Sequence, residues 1–476
     1  MIFMQQRNQS LDALRGFAIL TMILSGSIAF GDVMPAWMYH SQVPPPNHKF
    51  IPTLAGISWV DLVFPFFLFS MGAAIPLALQ KNVIAKTNFI SIFFIAGRRY
   101  LLLTFFALFT HNLMANEIAT VPTAQNYLLS IAAFILVFFQ LYDNKNEKLN
   151  RLFLILKVMA FAVAVVLLYF LPFKDGKGFS LSNNDIIIIV LGNMAFFGSI
   201  IWWITKTNQW VRLGILPFIM AIFLAAKETN GGWAKELFNF NSIAGFQIDW
   251  MYQFYFLKYL FIIIPGTFAG EYLLQFSNQR NFKNNNNDKM HLKIISLLAL
   301  ALVITNTIFL FGRHLLLNLS LTVALLAAIY FLIKEAGKEN HLLLNHFFKA
   351  GAYLLLLGLF FEAYEGGIKK DHSTYSYYFV CSGLAFFMLI GFTTLALSKA
   401  GSAINNYLSL NGRNPMVAYI AGGLLLTPFL HLTCAVVVFE KLNASAWLGF
   451  LKGILFTGIV SLITIFFTKK RWFWKT

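Results

Sequence analysis

Ser58-Trp-Val-Asp-Leu-Val-Phe-Pro-Phe-Phe-Leu-Phe-Ser-Met-Gly-Ala-Ala-Ile-Pro76 is the stretch from which the chain is read. It is long and apolar enough to cross a bilayer, yet it carries Asp61 near one end and Pro65 and Pro76 inside. Pro65 has no N–H, so the carbonyl of Asp61, four residues back, loses its helical partner. A carboxylate and a freed carbonyl are thereby placed together at one membrane face. The two prolines are eleven residues apart, about three helical turns, and both breaks fall on roughly one face. Asp61 either caps the start of this helix or marks a functional site, as an ionisable residue at a membrane boundary does.

The rest of the chain fits a polytopic membrane protein. Of its 476 residues 58% are hydrophobic and 12% charged, half the charge of a soluble domain, and 53 are phenylalanine. Fourteen apolar segments follow one another, at about 11–30, 59–80, 91–110, 125–141, 152–171, 185–205, 209–226, 255–275, 292–311, 317–334, 348–363, 377–397, 414–432 and 445–467. They predict an all-α transmembrane bundle of about 12–14 helices forming a single domain over 1–476. The asparagine-rich stretch at about 276–291 reads as a mobile cytoplasmic linker.

The net charge of +17 lies in short loops between apolar runs. It reads as an orientation signal and argues against a nucleic-acid partner. The loops richest in Lys and Arg place both termini in the cytoplasm and the loop 31–58 outside. Cys381 and Cys434 have no metal-ligand spacing and read as small buried hydrophobes; no metal is expected. No nucleotide-binding loop or Ser-His-Asp order is present.

Several polar groups interrupt this apolar background. Asp12 and Arg15 are three residues apart on the first helix and can pair, while Gly16 admits a close backbone. The alternative is an interfacial anchor with Arg15 reaching out to water. His40 and His48 flank Pro44-Pro45-Pro46 in the outer loop, and each can take up a proton near neutral pH. Asn411-Gly412-Arg413-Asn414-Pro415 opens a helix on the inner side, where free N–H groups favour an anion; an ordinary capped helix start is the plain alternative. Lys370, Asp371 and Tyr377, in the outer loop and helix start after Gly366-Gly367, could hold a sugar-like acceptor. Gly266 and Gly270 form a small-residue pair for tight helix packing, with Lys258 and Glu271 as boundary markers.

Ser10-Leu-Asp-Ala-Leu-Arg-Gly16 and Trp59-Val-Asp-Leu-Val-Phe-Pro-Phe-Phe-Leu-Phe-Ser-Met-Gly72, within residues 10–80, resemble heparan-α-glucosaminide N-acetyltransferase and its bacterial relatives. Arg98-Arg99-Tyr100, Lys370-Asp371, Ser376-Tyr377 and Gly412-Arg413-Asn414 follow in the family's order. The resemblance implies acetyl transfer from cytoplasmic acetyl-CoA, as acyl-donor substrate, to an amino sugar or envelope glycan outside a bacterial inner membrane. It places a catalytic histidine in the loop before the Asp61 helix. His48 is the best match, with Asp61 orienting it or holding the loop, and His40 is its rival. Asp12, Arg15, Gly412, Arg413 and Asn414 would hold the donor; His40, Lys370, Asp371 and Tyr377 would meet the acceptor. The family's asparagine near the outer end of the first helix is Gly26 here. A transporter or flippase of glycan or lipid precursors is the alternative, as is an inactive relative. The oligomeric state is left open, a homodimer included.

Overall fold

The computed structural model describes residues 8–142, 144, 149–228, 232–276, 286–335, 338–396 and 398–475, apart from the side chains of 175, 286–289 and 338–341. Among them, twelve helices are long and apolar enough to cross a membrane. Two more complete the fourteen segments expected. One is α1, Gln9–Ser27, whose apolar run is diluted by Asp12 and Arg15. The other is the seventeen-residue Gln209–Ala225. The protein is an all-α, polytopic integral membrane protein. Its only strands among the described residues are the pairs Ser242–Ile243 and Phe246–Gln247.

Among the described residues, the longest helix with no counterpart in the apolar segments spans 399–412. Lys399–Gly412 is rich in asparagine, serine and glycine, so hydropathy does not mark it. Part of the expected linker belongs to the helix Asn286–Phe311, and 277–285 lie outside the described residues.

The helices group into two compact units, each assembled from stretches far apart in sequence. The first unit comprises residues 1–81, 261–415 and 442–457. Its centre is formed by α2, Trp59–Ile84, and α3, Tyr375–Leu395, the two most deeply buried spans. Both prolines lie inside α2. Against α2 packs α4, Leu260–Gln275, through glycines. A Cβ on Gly72 would press on the Ile263 carbonyl, and one on Gly266 or Gly270 on the carbonyls of Phe69 or Ala73. The small-residue pair therefore does what its spacing predicts: with no side chain between them the backbones touch.

The second unit comprises residues 82–260, 416–441 and 458–476. Tyr100 Oη and Asn193 Nδ2 both donate to the Met251 carbonyl, at 3.0 and 2.8 Å, and tie the turn at 251 to the helices Phe89–Asn112 and Ile186–Thr205. Asp185 caps the latter helix through Ile187 N–H and Ile188 N–H and accepts from Tyr419 Oη at 2.6 Å. Lys258 lies near the start of the span Phe254–Gln275. It is buried, with Nζ 5.7 Å from the centre of the Phe223 ring.

Candidate functional site

The chain passes through Ser58 and enters α2, which brings the third helical residue, Asp61, under the returning loop 31–58. The Asp61 side chain is 2% exposed. Its Oδ2 accepts from the backbone N–H groups of Ser58 at 2.8 Å and Ser41 at 3.1 Å. Its Oδ1 lies 2.6 Å from Nδ1 of His40. An ionised carboxylate can only accept, so this contact fixes the proton on Nδ1 and leaves Nε2 as the basic nitrogen. The His40 side chain is 38% exposed, enough for an outside molecule to reach it. Lys370 adds a favourable charge interaction with Asp61, and its Nζ is 3.7 Å from Asp371 Oδ2.

The carbonyl freed by Pro65 has a partner. Tyr377 Oη donates to the Asp61 backbone oxygen at 2.8 Å. Tyr377 is thus tied to the backbone of the site, where the sequence assigned it to the acceptor. Replacing Tyr377 with Phe should destabilise the fold by about 1–3 kcal/mol, the cost of an orphaned buried carbonyl. Combining it with Pro65→Ala, which restores a helical N–H for that carbonyl, should recover part of the loss. Thermal unfolding of the two single variants and the double variant checks this; strictly additive losses would refute it.

His40, not His48, is the residue brought to the carboxylate. His48 Nε2 is 2.8 Å from the Gly31 carbonyl and Nδ1 is 3.2 Å from that of Val43. Its ring stacks on Phe30 at 3.9 Å and meets Tyr39 edge-on at 4.6 Å. Both ring nitrogens face backbone, so His48 clasps the loop to the end of α1. The expectation that Asp61 orients His48 is corrected on this geometry. The reason lies in how the loop is anchored: Ser58 Oγ is 2.6 Å from the Tyr39 carbonyl, which seats residues 39–41 over the start of α2. Tyr39 itself donates to Ala29 O at 2.6 Å; burial and nearby Asp32 push its phenol up, so it stays protonated.

Gln42 was not singled out in the sequence, where a lone loop glutamine carries no signal. It is 2% exposed. Its Nε2 donates to Pro52 O and Asp371 O, and its Oε1 accepts from Asp371 N–H at 2.8 Å. It therefore locks the histidine loop to the Lys370–Asp371 loop. Asp371 reaches the site through its backbone as well as through Lys370.

A second polar cluster lies further along α2. Arg15 Nη1 is 3.3 Å from Asp12 Oδ1 and 3.4 Å from the Gly412 carbonyl, and Nη2 is 3.3 Å from the Ser70 carbonyl. Arg413 Nε is 3.7 Å from Asp12 Oδ2. The close approach depends on two glycines. A Cβ on Gly16 would overlap the Leu408 carbonyl, and one on Gly412 the Asp12 carbonyl. Asp12 and Arg15 thus face the interior, which rules out the interfacial-anchor alternative. Ser70 is near the middle of α2, and the Arg15 guanidinium reaches its carbonyl there.

Just before the helix that starts at Pro415, the N–H groups of Arg413 and Asn414 are in use. They donate to Ser409 O and Asn411 O and close the end of helix Lys399–Gly412. The Arg15 and Arg413 guanidinium groups add positive charge here. Gly26 is exposed, and a Cβ there would meet nothing within 4 Å.

No curated protein matches the chain. Residues 7–273 match the sequence pattern of a domain of unknown function (DUF5009). That stretch is more than half of the chain and contains Asp12, Arg15, His40, His48 and Asp61, while Lys370, Tyr377 and Arg413 follow it. On the extent of this match, the chain belongs to the DUF5009 family.

Proposed function

We propose that this protein is a transmembrane acyltransferase, moving an acetyl group from cytoplasmic acetyl-CoA to an amino sugar or envelope glycan outside a bacterial inner membrane. The observation that carries the reading is the Asp61–His40 pair, a buried carboxylate fixing the tautomer of a half-exposed imidazole. His40 Nε2 accepts the proton as the acceptor amine or hydroxyl attacks the thioester carbonyl, and Asp61 stabilises the imidazolium. The new C–N or C–O bond forms, the C–S bond breaks, and the proton passes on to the departing CoA thiolate. Arg15 and Arg413 favour the phosphate-bearing end of the donor, held in place by Asp12 and the Gly412 carbonyl. Asp61 and Ser70 are nine residues apart on α2, about 13 Å along a helix, so an extended donor arm can span the two clusters. Lys370 stands on the acceptor side, and Tyr377 positions the Asp61 backbone.

The test is incubation of the purified full chain with [1-14C]acetyl-CoA and a glucosaminide. Labelled N- or O-acetyl product and release of CoA thiol are expected. Failure both to bind acetyl-CoA and to release thiol would refute the reading. Both termini are cytoplasmic in this scheme. An impermeant thiol reagent on whole cells should then label Asn47→Cys, an exposed loop position, in a Cys434→Ser background. A second reading, transport of a glycan or lipid precursor, draws on Arg15 reaching the Ser70 carbonyl near the middle of a proline-broken span. Flux of such a precursor with no thiol release would favour it.

A further inference from the structure

An open cavity of about 390 Å³, a size typical of small-ligand sites, lies within the first unit. Its walls include Leu24 of α1, Trp37 and Met38 of the outer loop, Trp59 at the start of α2, and Trp447 and Phe450 at the start of helix Ala446–Lys469. The lining is wholly apolar; even Thr21 turns its hydroxyl onto the Phe17 carbonyl, at 2.8 Å. Trp37 and Trp447 are largely exposed, and the Trp59 indole N–H has no hydrogen-bond partner among the described residues. Trp59 and Trp447 each stand at one end of a membrane-spanning helix, with Trp37 on the same cavity wall. Tryptophans so placed mark the level where hydrocarbon meets headgroups. Two of its wall residues neighbour the candidate site along the chain: Met38 precedes His40 by two residues, and Trp59 precedes Asp61 by two.

We infer that this groove seats the hydrocarbon chain of a membrane lipid and that the acyl acceptor is the polar head of that lipid. This specifies the substrate class of the proposed transferase and rests on that reading. Three facts favour a lipid chain as occupant. The groove opens beside transmembrane helices, where the surrounding solvent is hydrocarbon. It offers the chain no polar group along its walls. Its tryptophans mark the headgroup level, and Met38 and Trp59 in its wall each lie two residues from His40 and Asp61, so a lipid chain in the groove would carry its polar head toward that part of the protein.

The experiment uses the full chain in detergent with two probes, methyl glucosaminide and a dodecyl glucosaminide carrying a diazirine in its chain. The dodecyl compound should be acetylated with a KM lower by about tenfold or more, because burial of each methylene adds to binding. On irradiation it should label the peptides containing residues 21–24, 34–38 and 446–450. Ala446→Trp, and independently Thr21→Phe, should fill the groove and remove both the label and the chain-length advantage, while leaving turnover of the methyl compound. Label spread evenly over other membrane helices and unchanged in both variants would overturn the inference, as would equal KM values. Groove-specific labelling without acetylation of either probe would support the lipid site while refuting the transferase reading.

Discussion

His40→Ala is expected to lower acyl transfer by about 100-fold or more, the usual contribution of a positioned general base, with acetyl-CoA binding nearly unchanged. The expectation follows from which nitrogen is free. Asp61 holds His40 Nδ1 at 2.6 Å, so Nε2 is the available lone pair on a partly exposed ring. His48→Ala should act differently. It removes a ring packed between Phe30 and Tyr39 and two contacts to backbone carbonyls, so it should lower thermal stability more than the turnover of the protein that folds. Asp61→Asn is the informative companion. It retains size but loses the charge that balances an imidazolium, so turnover should fall while the loop stays seated. Side-by-side measurement of kcat, donor binding by isothermal titration and thermal midpoint for the three variants separates these roles. Normal turnover in His40→Ala with loss in His48→Ala would return the base to His48. Normal turnover in both would remove acyl transfer by either histidine from consideration.

Asp12→Ala should be the most destabilising change at the second cluster. It leaves the Arg15 and Arg413 guanidinium groups close together without the carboxylate that lies within 3.3 and 3.7 Å of them. Breaking a buried ion pair costs about 3–5 kcal/mol. Arg413 is a third exposed, and water screens it, so a loss near about 3 kcal/mol is expected. Arg15→Ala should cost less stability, because Asp12 keeps Arg413 beside it, but it should weaken acetyl-CoA binding. Thermal unfolding with and without acetyl-CoA distinguishes the two. Arg15→Ala should lose the shift in midpoint that the donor produces in the parent protein. An Asp12→Ala variant as stable as the parent would show that the carboxylate does not hold the cluster together.

The sequence alone determined the architecture. Runs of apolar residues about twenty long have few solutions in lipid, since every backbone group must be satisfied within the segment. All fourteen apolar segments are helices, in the expected order. Local chemistry was legible too. Pro65 must free the Asp61 carbonyl, Gly266 and Gly270 must bring two backbones together, and Asp12 can reach Arg15 because they are three residues apart on one helix. The helix Lys399–Gly412 escaped because its polar composition is hidden from hydropathy; its asparagines and glycines serve contacts within the protein.

Only the tertiary structure decided which groups meet across the chain. Spacing in sequence favours neither histidine of the loop 31–58, because an irregular loop has no period to project a side chain onto a face. The choice of His40 follows from Ser58, Tyr39 and Gln42 seating one end of that loop over α2, and from Gly31 capturing His48 at the other. The freed Asp61 carbonyl could be foreseen, but its partner Tyr377, 316 residues later in the chain, could not. The same holds for Gly16 against Leu408 and Gly412 against Asp12: a glycine announces that something comes close, and only packing says what.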